Sequence, residues 1–177
     1  MDEPEFIDRL RRREREAMDA LAVRYHADVY RFLRHLCRHT QEAEDLAQST
    51  FLRAFARIET YGGSAPLRSW LLGIAYREFT GWRRRRLWLP LRGDRPAPGS
   101  AYDELAEAEV LLAAIGRLPD AIRATFLLHH VEEISVAEIA ATLTLPEGTV
   151  KSRLHAARAR LRQLLREEDQ AYVPEAC

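Results

Sequence analysis

The sequence predicts an all-α protein of two small helical domains joined by a flexible linker. Three observations carry this expectation. Apolar residues recur at three- and four-residue steps through most of the chain, the spacing of one helix face. Residues 90–100, PLRGDRPAPGS, break that rhythm with a Pro-, Gly- and Arg-rich run that has no period and reads as a linker. Charged residues make up 31% of the 177 positions against 47% hydrophobic ones, and aromatics are few, which suits helices with charged outer faces. The length fits one domain or two small ones. The expected division is a first domain over residues 1–89, a linker over 90–102, a second domain over 103–168 and a frayed tail over 169–177.

Taken in order, Glu5 to Leu10 predicts a short first helix. Glu14 to Leu36 follows as a long one, because Ala17, Leu21, Tyr25, Val29, Phe32 and Leu36 trace an apolar stripe between charged residues. Thr40 is read as the cap of a third helix, Gln41 to Arg57, with Ala43, Leu46, Ala47, Thr50, Ala54 and Ile58 facing the core. The breakers between Thr60 and Pro66 form a loop, and Leu67 restarts a helix. Leu67, Trp70, Leu71, Ile74 and Phe79 point inward along it, and it ends in four arginines, Arg83 to Arg86, flanked by Trp82 and Trp88.

Beyond the linker, Glu104 to Gly116 and Ala121 to Glu132 are two helices separated by Leu118-Pro119, and Ile122, Phe126 and Leu127 supply core. Ser135 and Glu138 have the S-x-x-E spacing of a capping box, which marks a helix start. Val136, Ile139, Ala140 and Leu143 share one face of that helix, and Thr144-Leu145-Pro146 stops the period. A last helix begins near Glu147. Its apolar line is Val150, Leu154, Ala157, Leu161 and Leu164, and a separate line carries Lys151, His155, Arg158 and Arg162.

Two short helices around a tight turn, the second apolar on one side and basic on another, have the layout of a DNA-reading helix-turn-helix. Residues near the start of the second helix reach base edges, and later basic ones hold phosphate. A plain surface helix with a solvated basic face gives the same charge spacing. The capped first helix, the turn, and Lys151, Ser152 and His155 in the first turns favour DNA. Aromatics interleaved with arginines around Trp82 suit a single-stranded nucleic-acid surface, with rings on bases and guanidiniums on phosphates. The competing account of those arginines is charge complementarity at a helix C-terminus.

Formal net charge is zero, so bulk charge predicts no nucleic-acid affinity. The charges are separated instead, with acids around Glu42 to Asp45 and Asp103 to Glu109 and arginines at 83–86 and in the last helix. That separation fits a protein meeting both DNA and a basic protein surface. The two cysteines, Cys37 and Cys177, suggest no disulfide framework. The start of the chain is too charged for a signal peptide and no apolar run approaches membrane-spanning length, so a cytoplasmic protein without membrane insertion is expected. No phosphate-binding loop, dinucleotide fingerprint or nucleophile elbow is present. No cofactor and no metal are expected. His35 and His39 are four apart and share a helix face, but Cys37 between them points elsewhere. His129-His130 reads as helix surface and core edge.

The run LPEGTVKSRLHAARARLRQLL resembles the end of a bacterial RNA polymerase sigma factor of the sigma-70 family, in its extracytoplasmic-function (ECF) group. Pro146, Gly148 to Leu154, Ala157 and Arg158 match the family pattern, and Ala156 stands where the family often has arginine. A second, earlier run, EAEDLAQSTFLRAFARIETYGGSAPLRSWLLGIA, is similar to the family's polymerase-binding and promoter-melting segments. The two signatures occur in the family's order, and the resemblance spans about residues 10 to 166.

The resemblance implies a region 2-like bundle followed by a region 4-like helix-turn-helix, with core RNA polymerase and promoter DNA as partners and an anti-sigma factor as a regulator. It places polymerase binding on Glu44, Asp45, Gln48 and Phe51. It places capture and melting of the minus-ten element on Tyr61, Trp70, Arg77, Trp82, Arg83, Arg84 and Arg85. It places duplex minus-thirty-five recognition on Thr149, Lys151, Ser152, His155 and Arg158. Arg77 and Gly81 depart from the family, which often has asparagine and aspartate there. No catalysis is implied, since the phosphodiester chemistry belongs to the polymerase. The rival readings are a stand-alone helix-turn-helix regulator, which needs a receiver or ligand pocket that the first half does not suggest, and a metal sensor or enzyme built on His35, Cys37 and His39.

Overall fold

The structure, a computed structural model, describes residues 3–88 and 103–171, with side chains for 3–86 and 110–167. The linker expected over 90–102 and the last residues, 172–177, lie outside the described residues. Every regular element among the described residues is helical.

The first half begins with α1 (Glu3–Arg11), acidic in its first turn and basic in its last, which complements the helix dipole. It buries Phe6 and Leu10. The chain turns at Arg13, in the left-handed region at φ 58°, into α2 (Arg15–Cys37). The apolar stripe sits where its spacing puts it, with Leu33 added to it and Tyr25 half-buried. Arg38, again left-handed, ends the helix by donating its N–H to the Arg34 carbonyl.

Helix α3 (Thr40–Arg57) corrects one expectation. Thr40 is its first residue rather than its cap. The boundary residue is His39, extended and without a side-chain capping bond. All six residues expected on its core face are buried, and Phe51 joins them. A single 3-10 turn, Ile58–Thr60, leads to the loop and to α4 (Leu67–Trp88). Leu67, Leu71, Ile74 and Phe79 are buried, while Trp70 is half-buried at the rim. Helices α2, α3 and α4 pack on one another around Phe32, Leu36 and Phe79. Truncating a buried phenylalanine such as Phe32 to alanine costs about 3–5 kcal/mol, so this core sets the shape of the half.

The second half comprises α5 (Asp103–Gly116), α6 (Asp120–His130), α7 (Val136–Leu143) and α8 (Glu147–Ala171). Helix α6 stops at His130, two residues before the expected Glu132. There the backbone N–H groups of Val131 and Glu132 both return to the Leu127 carbonyl, and Glu133 adopts φ 56°. The turn aims the Glu132 side chain inward, where it is buried. The five apolar residues expected along α8 are all buried, against α6, α7 and α5. Helix α8 also runs on through 169–171, which the sequence had placed in a frayed tail.

The halves are packed together, α4 against α7 and α2 against α6. Gly73 of α4 permits this closeness. A β-carbon there would lie 2.8 Å from Thr142 Cγ2 and 3.0 Å from the Thr142 carbonyl oxygen.

Candidate nucleic-acid and polymerase interfaces

Helix α8 is placed by a well-defined turn. Ser135 Oγ accepts from the Glu138 N–H at 3.2 Å, and the Glu138 carboxylate accepts from the Ser135 N–H at 3.4 Å. Both halves of the expected capping box are therefore present. Thr144 ends α7 in the left-handed conformation and its N–H returns to Ala140 and Ala141. Helix α8 opens three residues later. Lys151, Ser152, His155 and Arg158 are exposed on it, and Thr149 is half-buried. Lys151 Nζ stands 3.4 Å from Glu147 Oε2, an exposed i,i+4 pair that DNA can break cheaply. Ser152 Oγ donates to the Thr149 carbonyl at 2.9 Å, which leaves its acceptor capacity unused in the second turn. Arg162 continues the exposed basic line.

The residues assigned to the melted strand surround the loop before α4. Tyr61 is buried, and its hydroxyl donates to the Ala65 carbonyl at 2.8 Å, which pins the loop. Its ring tilts against Trp70 at 5.3 Å between centroids. A cavity of about 170 Å³ opens here, lined by Tyr61, Gly62, Ser64, Trp70 and Arg77 from the first half and by Ala141, Thr142 and Thr144 from the second. Arg77 Nη1 stands 3.5 Å from the Thr142 carbonyl oxygen, at the outer limit of a hydrogen bond. Arg77 is exposed as a whole residue, yet partial burial, with the charge of Arg57 adding to it, pushes its pKa below the ordinary arginine value.

The arginine run divides in two. Arg83 pairs with Asp120 at 3.1 Å, across the two halves, and Arg86 pairs with Glu42 at 3.0 Å and lies over the half-buried Trp82 ring. Arg84 and Arg85 are exposed and make no ion pair among the described residues. The side chain of Trp88 lies outside the described set.

The polymerase-binding candidates share α3 but not one environment. Asp45 and Gln48 are exposed, and Gln41 donates to Asp45 at 3.2 Å. Glu44 is half-buried, 3.3 Å from His26 Nε2. Phe51 is buried beneath them, stacked with His26 and tilted against Phe55. Phe51 thus shapes the face from below. Exposed Leu52, beside it in sequence, is an apolar group on this helix that the sequence reading did not single out.

His35, Cys37 and His39 are not brought together as ligands. Cys37 Sγ donates to the Leu33 carbonyl at 3.0 Å, and no cluster of three metal-ligating side chains occurs among the described residues. Burial pushes the Cys37 thiol pKa up and, despite the charge of Glu132, the His35 imidazole pKa down.

Helical halves of this kind, one ending in a capped helix-turn-helix with an exposed basic edge, have the layout of a DNA-binding protein. The sigma-70 region 2 family matches residues 21–89, and the sigma-70 region 4 family matches residues 108–161. The chain is 35% identical to the ECF RNA polymerase sigma factor SigL of Mycobacterium tuberculosis, over 87% of this chain and 92% of that one. It is 38% identical to the ECF RNA polymerase sigma factor SigE of Mycolicibacterium smegmatis, over 81% of this chain, but spans only 60% of that longer protein. Among solved structures, the sigma factor RpoE of Bartonella quintana, crystallised with the anti-sigma factor NepR, is 25% identical, with a TM-score of 0.67 over 84% of this chain and 96% of that one. The chain belongs to the ECF sigma factors of the sigma-70 family.

Proposed function

We propose that the chain docks on core RNA polymerase through the exposed face of α3 around Glu44, Asp45 and Gln48, and gives the enzyme promoter specificity. Residues 1–89 act as the polymerase-binding and melting domain. Tyr61, Trp70, Arg77 and the arginines at 83–85 take the separated minus-ten strand. Residues 103–168 read the minus-thirty-five duplex through α8, with Lys151, Ser152 and His155 toward the bases and Thr149 and Arg158 toward phosphate. The observation that carries the reading is the α7–α8 unit, whose capping box and turn leave Lys151, Ser152 and His155 exposed at the helix start.

The chain contributes recognition and strand capture, and bond formation stays with the polymerase. A cytoplasmic place follows from that partner, and no described helix is long and apolar enough to cross a membrane. The relative solved with an anti-sigma factor supports a partner of that class here. The test is run-off transcription with purified core polymerase and genomic DNA of the source organism cut by a restriction enzyme, whose fixed ends give run-off products of fixed length. Discrete transcripts that need the added chain are expected. DNA binding by the chain alone, with no polymerase association, would make it a stand-alone regulator instead.

A further inference from the structure

The last residue of α1 reaches the loop that leads to the cavity at Tyr61, Trp70 and Arg77. Phe6 and Leu10, four apart on one helix face, are buried and seat α1 against α2 and the 3-10 turn. That seating brings Arg11 to a loop 50 positions further along the chain. Arg11 Nη2 donates to the Tyr61 backbone carbonyl at 3.0 Å. Asp8, one turn back on α1, accepts from Nη1 at 3.3 Å and steadies the fork. A bond from a guanidinium is stronger than one between neutral groups. The remaining bonds of Tyr61 stay within the turn and the loop. Its N–H donates to the Ile58 carbonyl at 3.0 Å, and its hydroxyl to the Ala65 carbonyl. Past Tyr61 the loop stands clear. Gly62, Gly63 and Ser64 are exposed, and a β-carbon on either glycine would meet nothing within 4 Å. The path of such a loop is set at its ends. At the far end the Pro66 carbonyl accepts from the Trp70 N–H at 3.0 Å, in the first turn of α4. At the near end the Tyr61–Gly62 peptide leads into a glycine, whose backbone accepts either orientation of that plane. The bond from Arg11 selects one of them.

We propose that Arg11 is a positioning residue for base selection: by holding the Tyr61 carbonyl it fixes the loop that lines the cavity with Trp70 and Arg77, and so sharpens the choice of base at one minus-ten position. The inference rests on the reading of that cavity as the strand-capture site. A pocket discriminates between bases only while its hydrogen-bonding groups keep their places. A loop is a less exact support than a helix unless a second group braces it. Tyr61, Gly62, Ser64 and Ala65 all line the cavity, so a turned Tyr61–Gly62 peptide moves several of its walls at once. Arg11 acts through Tyr61 alone. Among the described residues its side chain bonds to Asp8 and Tyr61 and to nothing on α3, so polymerase docking does not depend on it.

Three full-length variants, Arg11→Ala, Arg11→Lys and Arg12→Ala, separate positioning from stability and from charge. Arg12 is next in the chain but pairs with Glu14, so its loss removes the same charge and leaves the loop alone. Lysine keeps donors that can reach a carbonyl. Each variant is assembled with core polymerase, and transcription is measured from a promoter recovered from the genomic transcripts and varied at each minus-ten position. Arg11→Ala should assemble and melt like the parent, yet the ratio between best and worst base at one position should fall at least about fivefold, as expected when a positioned group moves. Arg11→Lys should recover most of that ratio, and Arg12→Ala should keep it. An unchanged ratio in Arg11→Ala, or an equal loss with every base, would overturn the proposal. A lower ratio that comes with a fallen thermal midpoint and is not recovered by lysine would make Arg11 a prop of α1 alone, and would overturn it too. Subtilisin cleavage of the free chain within residues 62–65 reports the brace without DNA. It should be at least about fivefold faster in Arg11→Ala, because a loosened loop is cut first, and equal cleavage would overturn the brace. A parent with no base preference at any minus-ten position would instead overturn the reading of the cavity, and base selection with it, while the cleavage still reports whether Arg11 holds the loop.

Discussion

Ser135 and Glu138 cap one another, and the same Glu138 accepts a bond from Ser69 of the other half at 3.3 Å. One carboxylate thus starts the first helix of the helix-turn-helix and touches α4. Ser135→Ala should destabilise the protein by about 1 kcal/mol, because a helix start loses its side-chain acceptor. Ser69→Ala should cost less, since Glu138 keeps its capping partners. Urea denaturation of both variants checks the order, and equal losses would contradict it.

The exposed pair on α3 gives a binding prediction. Asp45→Ala with Gln48→Ala should weaken assembly with core polymerase by more than about 1 kcal/mol while the thermal midpoint changes little. Phe51→Ala should instead unfold the face it supports, because Phe51 is buried. Polymerase titration and melting curves together separate the two outcomes.

On α8 the two ends should differ. Lys151→Ala should change sequence preference upstream, at the lower end of about 1–3 kcal/mol, since lysine lacks the bidentate fork of arginine. Arg158→Ala should weaken all sequences alike and reduce the salt slope by about one charge. Selection of bound sequences by each variant holoenzyme, repeated at two salt concentrations, distinguishes them.

Arg77→Asn replaces a donor-only cation with a side chain that can also accept. Its guanidinium lines the cavity and stands at the limit of a hydrogen bond to Thr142. Transcription from promoters varied at each minus-ten position should show a shift confined to one base. A uniform loss would assign Arg77 to phosphate, and no change would remove it from the site.

Much of this was legible in the sequence. The apolar steps in α8 gave all five of its named core residues, and the S-x-x-E spacing gave a capping box whose bonds are present. Local rules reach that far because a helix face and a helix start are decided by neighbours in the chain. The same rules misplaced the cap of α3, where Thr40 has the right chemistry and His39 has the extended backbone. They also ran α6 on to Glu132, since nothing within a few residues shows that its carboxylate is drawn to arginines 64 and 101 positions away. Arg77 was assigned from the resemblance without Thr142, which faces it from the other half.

Acid should loosen the contact between the halves, where Asp28 accepts from the two arginines, Arg68 and Arg31, that hold buried Glu132. Burial pushes the Asp28 carboxyl up, but the hydrogen bonds and charges of Arg68 and Arg31 more than reverse this and leave it below its ordinary value. A carboxyl lowered on folding contributes stability that is present above the unfolded value, near ~3.9, and lost as pH falls through the native one. Asp28→Asn should therefore be less stable than the parent at pH 6, and the gap should narrow toward pH 3. Urea midpoints across that range check the sign, and a gap that widens in acid would contradict it.

The contact between Gly73 and Thr142 also bears on how this protein can drift. A larger residue at 73 must be matched by a change of backbone path at 142, because the carbonyl oxygen there is as near as the methyl group. The two sites should therefore change together although 69 positions separate them. A survey of descendants that found glycine kept at 73 would be tempted to credit strand melting, since that helix lines the cavity. The geometry ascribes the glycine to its neighbour in the other half, and a lineage that lost that contact would be free to lose the glycine with it.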